Sequence, residues 1–339
     1  MTGSENTRNL LWLQSGGCGG CTLSLLCAEG PDVITAFDAA GINLLWHPTL
    51  SLETGAEVNA IIDDILSGAL RLDILCLEGS VMTGPAGTGR FHIMSGRNVP
   101  MQDVIEALAG HAGKVVAVGS CAAFGGITAN GGNPGGARGL AFDGDTPGGH
   151  LGAGYRAMDG LPVVNIPGCP VHPDWVTETL SLLSTGTLTT DHLDGVGRPH
   201  AISGKLVHHG CSRNEFYEYK ASAEKLCEVG CMMEHLGCKG TQAAGDCNTR
   251  AWNGSGSCIS GGYPCIACTE PGFEEPGHPF VQTPKIAGIP IGLPTDMPKA
   301  WFVALASLSK AATPRRLREN ASSDRLKVFP DRQKGGHKP

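Results

Sequence analysis

The first two hundred residues alternate short apolar runs with amphipathic stretches. Asn9–Gln14 (NLLWLQ), Leu72–Leu77 (LDILCL), Lys114–Val118 (KVVAV) and Pro162–Ile166 (PVVNI) read as strands. Between them, Val58–Leu66, Met101–Ala109 and Pro173–Leu183 carry apolar residues at helical spacing. Strand alternating with helix predicts a parallel, doubly wound α/β sheet. The pattern changes near residue 200. From Lys205 to Cys268 there are eight cysteines, many glycines and little periodicity. A hydrophobic core alone would not hold such a segment, and bound metal clusters would supply the missing cross-links. From Thr269 the chain is Pro-rich and then basic, which predicts a wrapping arm or a partly disordered tail. The expected domains are therefore 1–200, an irregular cluster-stabilised domain over 201–275, and an arm with a basic tail over 276–339.

Composition narrows the class. The 339 residues suffice for one large or two modest domains, and 41% are apolar, enough for a real core. Mean hydropathy of −0.02 argues against a membrane protein. Charged residues are scarce at 17% and glycine is abundant at 50. That pairing fits a loop-rich protein with much of its surface covered by a partner subunit. The net charge of −7 is uneven: from Thr313 onward eight basic residues (Arg315, Arg316, Arg318, Arg325, Lys327, Arg332, Lys334, Lys338) face three acids, so the tail is +5 and the body −12. A basic tail can meet nucleic acid or an acidic surface. Nothing else resembles a nucleic-acid module, so no such partner is expected, and the tail is expected to dock on a partner or membrane surface.

The first residues carry neither paired arginines nor an apolar core of signal-peptide type, and Ala300–Leu308 is too short to span a bilayer. The expected location is the cytoplasm, at most peripheral to its membrane face. Thiols stay reduced there, so fourteen cysteines point to metal rather than disulfides.

Where the cysteines fall is informative. Cys18 and Cys21 (SGGCGGCTLSLL) follow the first strand and lead into a helix, Cys121 (VGSCAAFGG) follows the third, and Cys169 (NIPGCPVHPDW) follows the fourth. Ligands of open parallel sheets gather at the carboxyl ends of the strands. Four thiolates delivered there suit an iron–sulfur cluster, and the neighbouring glycines let backbone approach a bulky inorganic core. A four-cysteine zinc site is the alternative, though zinc ligands usually come as two close pairs. Downstream, His208 precedes Cys211, Cys231 and Cys238, a mixed set in which histidine would raise reduction potential. Cys247, Cys265 and Cys268 follow, enough for a three-iron cluster.

In order, WLQSGGCGGC, LCLEGSV, VGSCAAFGG, NIPGCPVHPDW, KLVHHGCSRN, LGCKG and YPCIACTEPGF resemble the motifs of nickel–iron hydrogenase small subunits, from about Leu10 to Phe273. The segment LLWHPTLSLE looks most like the signal-less uptake group of cyanobacteria and actinobacteria. The resemblance implies a flavodoxin-like N-terminal domain, an irregular cluster domain and three clusters in a line. It implies that Cys18, Cys21, Cys121 and Cys169 hold a proximal [4Fe-4S] cluster, and that His208, Cys211, Cys231 and Cys238 hold a distal [4Fe-4S] cluster. Cys247, Cys265 and Cys268 would hold a medial [3Fe-4S] cluster. Glu78 matches an acidic position beside the proximal cluster, where a carboxylate would tune it or carry protons; the bland reading is a strand-end acid facing solvent. The implied activity is electron relay, with hydrogen split at a nickel–iron centre on a partner large subunit. The implied acceptor is a cytochrome, a quinone-linked protein or another redox protein, and a higher oligomer of heterodimers is compatible with this.

Departures from the family matter. Oxygen-tolerant membrane-bound relatives carry two extra proximal cysteines where this chain has Gly20 and Gly126, so that modified cluster is not expected. The Cys231–Cys238 gap is one residue longer than in many relatives, which makes Cys227 a substitute for Cys231. Cys258 stands one residue past a fourth medial position, leaving a four-iron medial cluster open. Cys27 and Cys76 are expected to be buried apolar thiols. Two other readings remain: the cluster-bearing subunit of a complex I-like quinone reductase, which needs only the first site, and a zinc-stabilised scaffold without redox activity.

Overall fold

A computed structural model describes residues 7–330 apart from 253, 276, 278, 287–288 and 291–297. Chain contacts divide it into two units. The first contains residues up to Gly204 with Trp252–Ser255 and Cys268–His278; the second contains Lys205–Ala251, Gly256–Ala267 and the chain from Pro279. Cys268 and Glu274 thus belong to the sheet-bearing unit, whereas the sequence pattern assigned them to the second segment.

In the first unit, β1 (Arg8–Gln14), β2 (Ile42–Trp46), β3 (Leu72–Glu78), β4 (Ala112–Val118) and β5 (Val164–Ile166) form one parallel sheet in the order β5-β4-β3-β1-β2. All seven residues of β3 are buried, as expected for a central strand covered on both faces. The helices that accompany the sheet include α1 (Gly20–Leu25), α2 (Val33–Ala39), α3 (Ala56–Leu66), α4 (Met101–Ala109), α5 (Gly119–Phe124) and α6 (Pro173–Ser184), with one further turn of helix at His200–Ser203. Helix α3 buries Val58, Ile62 and Ile65, one stripe at helical period, against Leu11, Leu75 and Ile105 in the same core. Helix α6 opens with Pro173, and the His172 ring accepts the Asp174 N–H at 3.2 Å.

The four strands expected from the sequence are all present, as are the three helices. Strand β2 and helices α2 and α5 were not anticipated. All three are short, and α2 buries only Val33 and Phe37, too few positions to establish a period.

Register places the functional edge. Gln14 pairs with Glu78, Glu78 with Val118, and Val118 with Ile166, so four strand ends finish level. The loops that follow emerge side by side. Strand order also reverses between β1 and β3, the crevice where doubly wound sheets hold ligands.

The second unit has little regular structure. Val207, Met232, Leu236, Ala243 and Ile259 form its small core, and Cys211, Cys238, Cys247 and Cys265 pack against it. Where the sequence predicted a wrapping arm or a partly disordered tail, helices run over Lys299–Ala311 and Arg315–Ala321, here α8 and α9 after a short α7 (Asn214–Glu218). Leu317 and Ala321 of α9 pack with Phe216 and Ala221, which supplies the apolar burial that charge counting concealed. Arg332, Lys334 and Lys338 lie outside the described residues.

Candidate functional site

The loop after β1 carries Cys18 and enters α1 at Cys21. The Cys21 and Thr22 N–H groups, among the unpaired donors of a helix start, donate to Glu78 Oε1 at 3.1 and 3.0 Å. Glu78 Oε2 accepts from Gln14 Nε2 at 3.0 Å, from Trp12 Nε1 at 3.4 Å and from the Thr22 hydroxyl. Glu78 is only 4% exposed. The solvent-facing reading of this acid is therefore wrong: it is a buried acceptor with five donors around it.

Cys121 lies in the first turn of α5, and Cys169 follows β5 in the loop to α6. Ser120 Oγ accepts the Gly168 N–H at 2.8 Å and donates to the Cys268 carbonyl, tying these loops together. The thiols feel one another. Burial, then Cys121, Cys268 and Cys18, push the Cys169 thiol up to about 12. Burial raises the Cys121 thiol, with Cys18 and Glu274 adding to it. Burial also raises Cys21 strongly, with Glu78, Cys121 and Cys169 contributing. Electrostatics thus links Cys18, Cys21, Cys121 and Cys169 in one group, which also includes Cys268 and the buried Glu274.

Glycine is required in this cradle. A Cβ at Gly119 (φ +84°) would stand 2.4 Å from Cys21 Sγ. At Gly126 (φ +58°) it would stand 2.9 Å from Cys121 N. Among the described residues, no three His, Cys, Asp or Glu side chains converge tightly enough to hold a single ion. A four-iron core is larger than an ion, and its four thiolates bind separate corners. The clustered thiols, with Cys18 exposed and Cys21, Cys121 and Cys169 half-buried, the glycine clearances and the level strand ends fit such a core.

In the second unit, His208, Cys211, Cys231 and Cys238 line one small, tight pocket, with Arg213, Tyr217 and Ile259 among its other walls. The fourfold donor set anticipated from sequence is therefore gathered. Burial, then Cys238 and Cys211, push Cys231 up to about 12. Cys227, the substitute considered for Cys231, is exposed and sits beside Gly262 instead. The His208 ring meets Tyr217 edge to face at 4.2 Å, and Lys220 Nζ lies 3.7 Å from the Tyr217 ring centre. Sequence spacing missed Tyr217, Arg213 and Lys220, because nothing in their local pattern marks them.

Cys247 and Cys265 belong to the second unit and Cys268 to the first. Cys247 is pushed up to about 12 by burial and then by Cys258, so Cys258 is an electrostatic neighbour of Cys247. Cys76 is fully buried as expected, but Cys27 is exposed, in the turn that ends α1.

Two family models divide the chain. That of the NADH ubiquinone oxidoreductase 20 kDa subunit matches residues 18–183, and that of the C-terminal part of the NiFe/NiFeSe hydrogenase small subunit matches residues 204–281. The small subunit of F420 non-reducing hydrogenase II from Methanosarcina mazei is 34% identical over 83% of this chain and 77% of its own. The periplasmic [NiFeSe] hydrogenase small subunit of Desulfomicrobium baculatum is also 34% identical, over 83% of this chain and 89% of its own. An actinobacterial-type NiFe-hydrogenase structure from Ralstonia eutropha H16 superposes with a TM-score of 0.74 at 29% identity, covering 92% of this chain and 93% of that one.

A flavodoxin-like sheet with cysteines along its carboxyl edge defines an iron–sulfur protein of the class shared by hydrogenases and respiratory NADH dehydrogenases. The second unit decides between them: the chain belongs to the small subunits of nickel–iron hydrogenases. It is thus the iron–sulfur, electron-transferring part of an oxidoreductase acting on H2, and it pairs with a large subunit. No helix among the described residues is long and apolar enough to cross a membrane.

Proposed function

We propose that Cys18, Cys21, Cys121 and Cys169 hold a proximal four-iron cluster, and that His208, Cys211, Cys231 and Cys238 hold a distal four-iron cluster. Cys247, Cys265 and Cys268 hold a medial three-iron cluster. When bound, the clusters supply one-electron carriers between the nickel–iron centre of the large subunit and an external acceptor. The observation that carries this reading is the level finish of β1, β3, β4 and β5, which sets four interacting thiols along one sheet edge.

The chain's own residues bind, shape and bury these carriers. The Glu78 carboxylate fixes the start of α1 and so the direction of Cys21. Arg213 donates its backbone N–H to Cys211 Sγ at 3.3 Å, a bond that stabilises thiolate charge. Histidine at position 208 makes the distal set one charge less anionic than four cysteines and raises its potential. The acceptor docks near His208, the complex works in the cytoplasm, and heterodimers assemble further. The acceptor is a cytochrome, a quinone-linked protein or another redox protein.

Metal analysis of the purified complex tests the reading. About eleven irons per chain are expected, with nickel present only alongside the larger polypeptide. About four irons and no nickel would favour a single-cluster quinone-reductase subunit, and zinc without iron would end the relay assignment. One observation favours a variant reading: the proximity of Cys258 to Cys247 suits a fourth medial donor and about twelve irons.

A further inference from the structure

Behind the proximal cysteines lies a buried series of side chains that the cluster ligands do not explain. His47 follows the end of β2 and is completely buried. Its ring rests on Trp12 with centroids 5.0 Å apart. The turn after it holds the ring: the Thr49 N–H donates to His47 Nδ1 at 3.0 Å, and the His47 N–H donates to Ser51 Oγ at 2.9 Å. With Nδ1 occupied as an acceptor, the ring proton sits on Nε2. That nitrogen faces Thr22 Oγ1 at 3.5 Å.

A hydroxyl has one proton to give and two lone pairs. Thr22 Oγ1 receives Gln14 Nε2 at 2.9 Å and faces His47 Nε2, so its own proton is directed to Glu78 Oε2. The sequence of donors runs one way: His47 to Thr22 to Glu78, whose other oxygen receives the Cys21 N–H. Burial holds His47 down at about 4, keeping the ring neutral and its Nε2 proton in place at physiological pH.

We propose that His47 and Thr22 are positioning residues for the proximal cluster: they hold the Glu78 carboxylate against the backbone of Cys21 and thereby set that cluster's reduction potential. A negative group fixed this close disfavours the added electron, so the cluster's potential is held low. Released from Thr22, the carboxylate turns away and the potential rises. The inference deepens the relay reading and rests on it.

Redox titration of the assembled heterodimer, followed by EPR, tests this. Thr22→Val removes the hydroxyl at nearly constant shape and is expected to raise the proximal potential while the medial and distal potentials stay put. Thr22→Ser restores the hydroxyl and is expected to restore the potential. His47→Leu raises it in the same way, and His47→Gln, which keeps an N–H donor, returns it toward the starting value. An unchanged proximal potential in Thr22→Val with full iron content would overturn the proposal. So would equal movement of all three clusters, which would mean general loosening. Absence of a proximal signal from the unaltered heterodimer would instead sink the relay reading itself.

Discussion

At the scale of single residues, position along the chain picked out candidate side chains but not what surrounds them. The cysteines were legible because thiols at strand ends have few other uses in a reduced protein. Glu78 was legible as a candidate, but Trp12, Gln14, Thr22 and His47 were not, because they approach it from three different segments. Two outcomes follow at this scale. Gly119→Ala forces a Cβ against Cys21 Sγ at a positive φ, a strain of at least 1–3 kcal/mol in order of magnitude, roughly a tenfold or greater loss of proximal-site occupancy. The expected result is selective loss of the proximal EPR signal with the other clusters retained. His47 has its native pKa depressed from 6.5 to about 4. The unfolded chain therefore binds this proton first as pH falls, and stability is lost from about pH 6.5 down to about 4, by roughly 3 kcal/mol at most. His47→Gln should flatten the acid limb of the melting-temperature profile; an unchanged slope would count against the assignment.

At the scale of elements, the long periodic helices α3, α4 and α6 and the buried strands announced themselves. Strand β2 and helix α2 did not, because five and seven residues give too little pattern. The helix in the tail was hidden for a different reason. Its basic residues drew the reading toward a docking surface, yet Leu317 is fully buried and Asn320 is tied to the Val328 carbonyl at 2.7 Å. Arg316 pairs with Glu215, and Arg315 with Glu319 at 2.5 Å, so part of the positive charge is consumed within the second unit. Leu317→Ala empties a buried site and should cost about 2–5 kcal/mol of local stability. Limited proteolysis should then cut near residue 313 in the variant and not in the parent chain; equal resistance would show that α9 contributes little.

At the scale of the whole molecule, local spacing grouped the donors along the chain but did not indicate how the chain divides. Cys268, three residues after Cys265, belongs to the sheet-bearing unit, a division no local pattern encodes. The buried thiols carry a further consequence. Cys169, Cys231 and Cys247 are each pushed up to about 12, so these thiols hold protons that ligation must expel. In vitro cluster reconstitution should therefore keep climbing with pH below about 12, monitored by visible absorbance, and a flat profile would contradict the raised thiols. The seating of α9 also bears on manufacture in the cell. The Val229 and Gly230 N–H groups, just before Cys231, bond the carbonyls of Ser323 and Ala321 at 2.8 and 3.0 Å. A ribosome must finish residue 323 and release it from the exit tunnel before Cys231 has its final support. The backbone beside Cys231 is accordingly completed by a far later stretch of the chain, so the two cannot be assembled in the order in which they are synthesised.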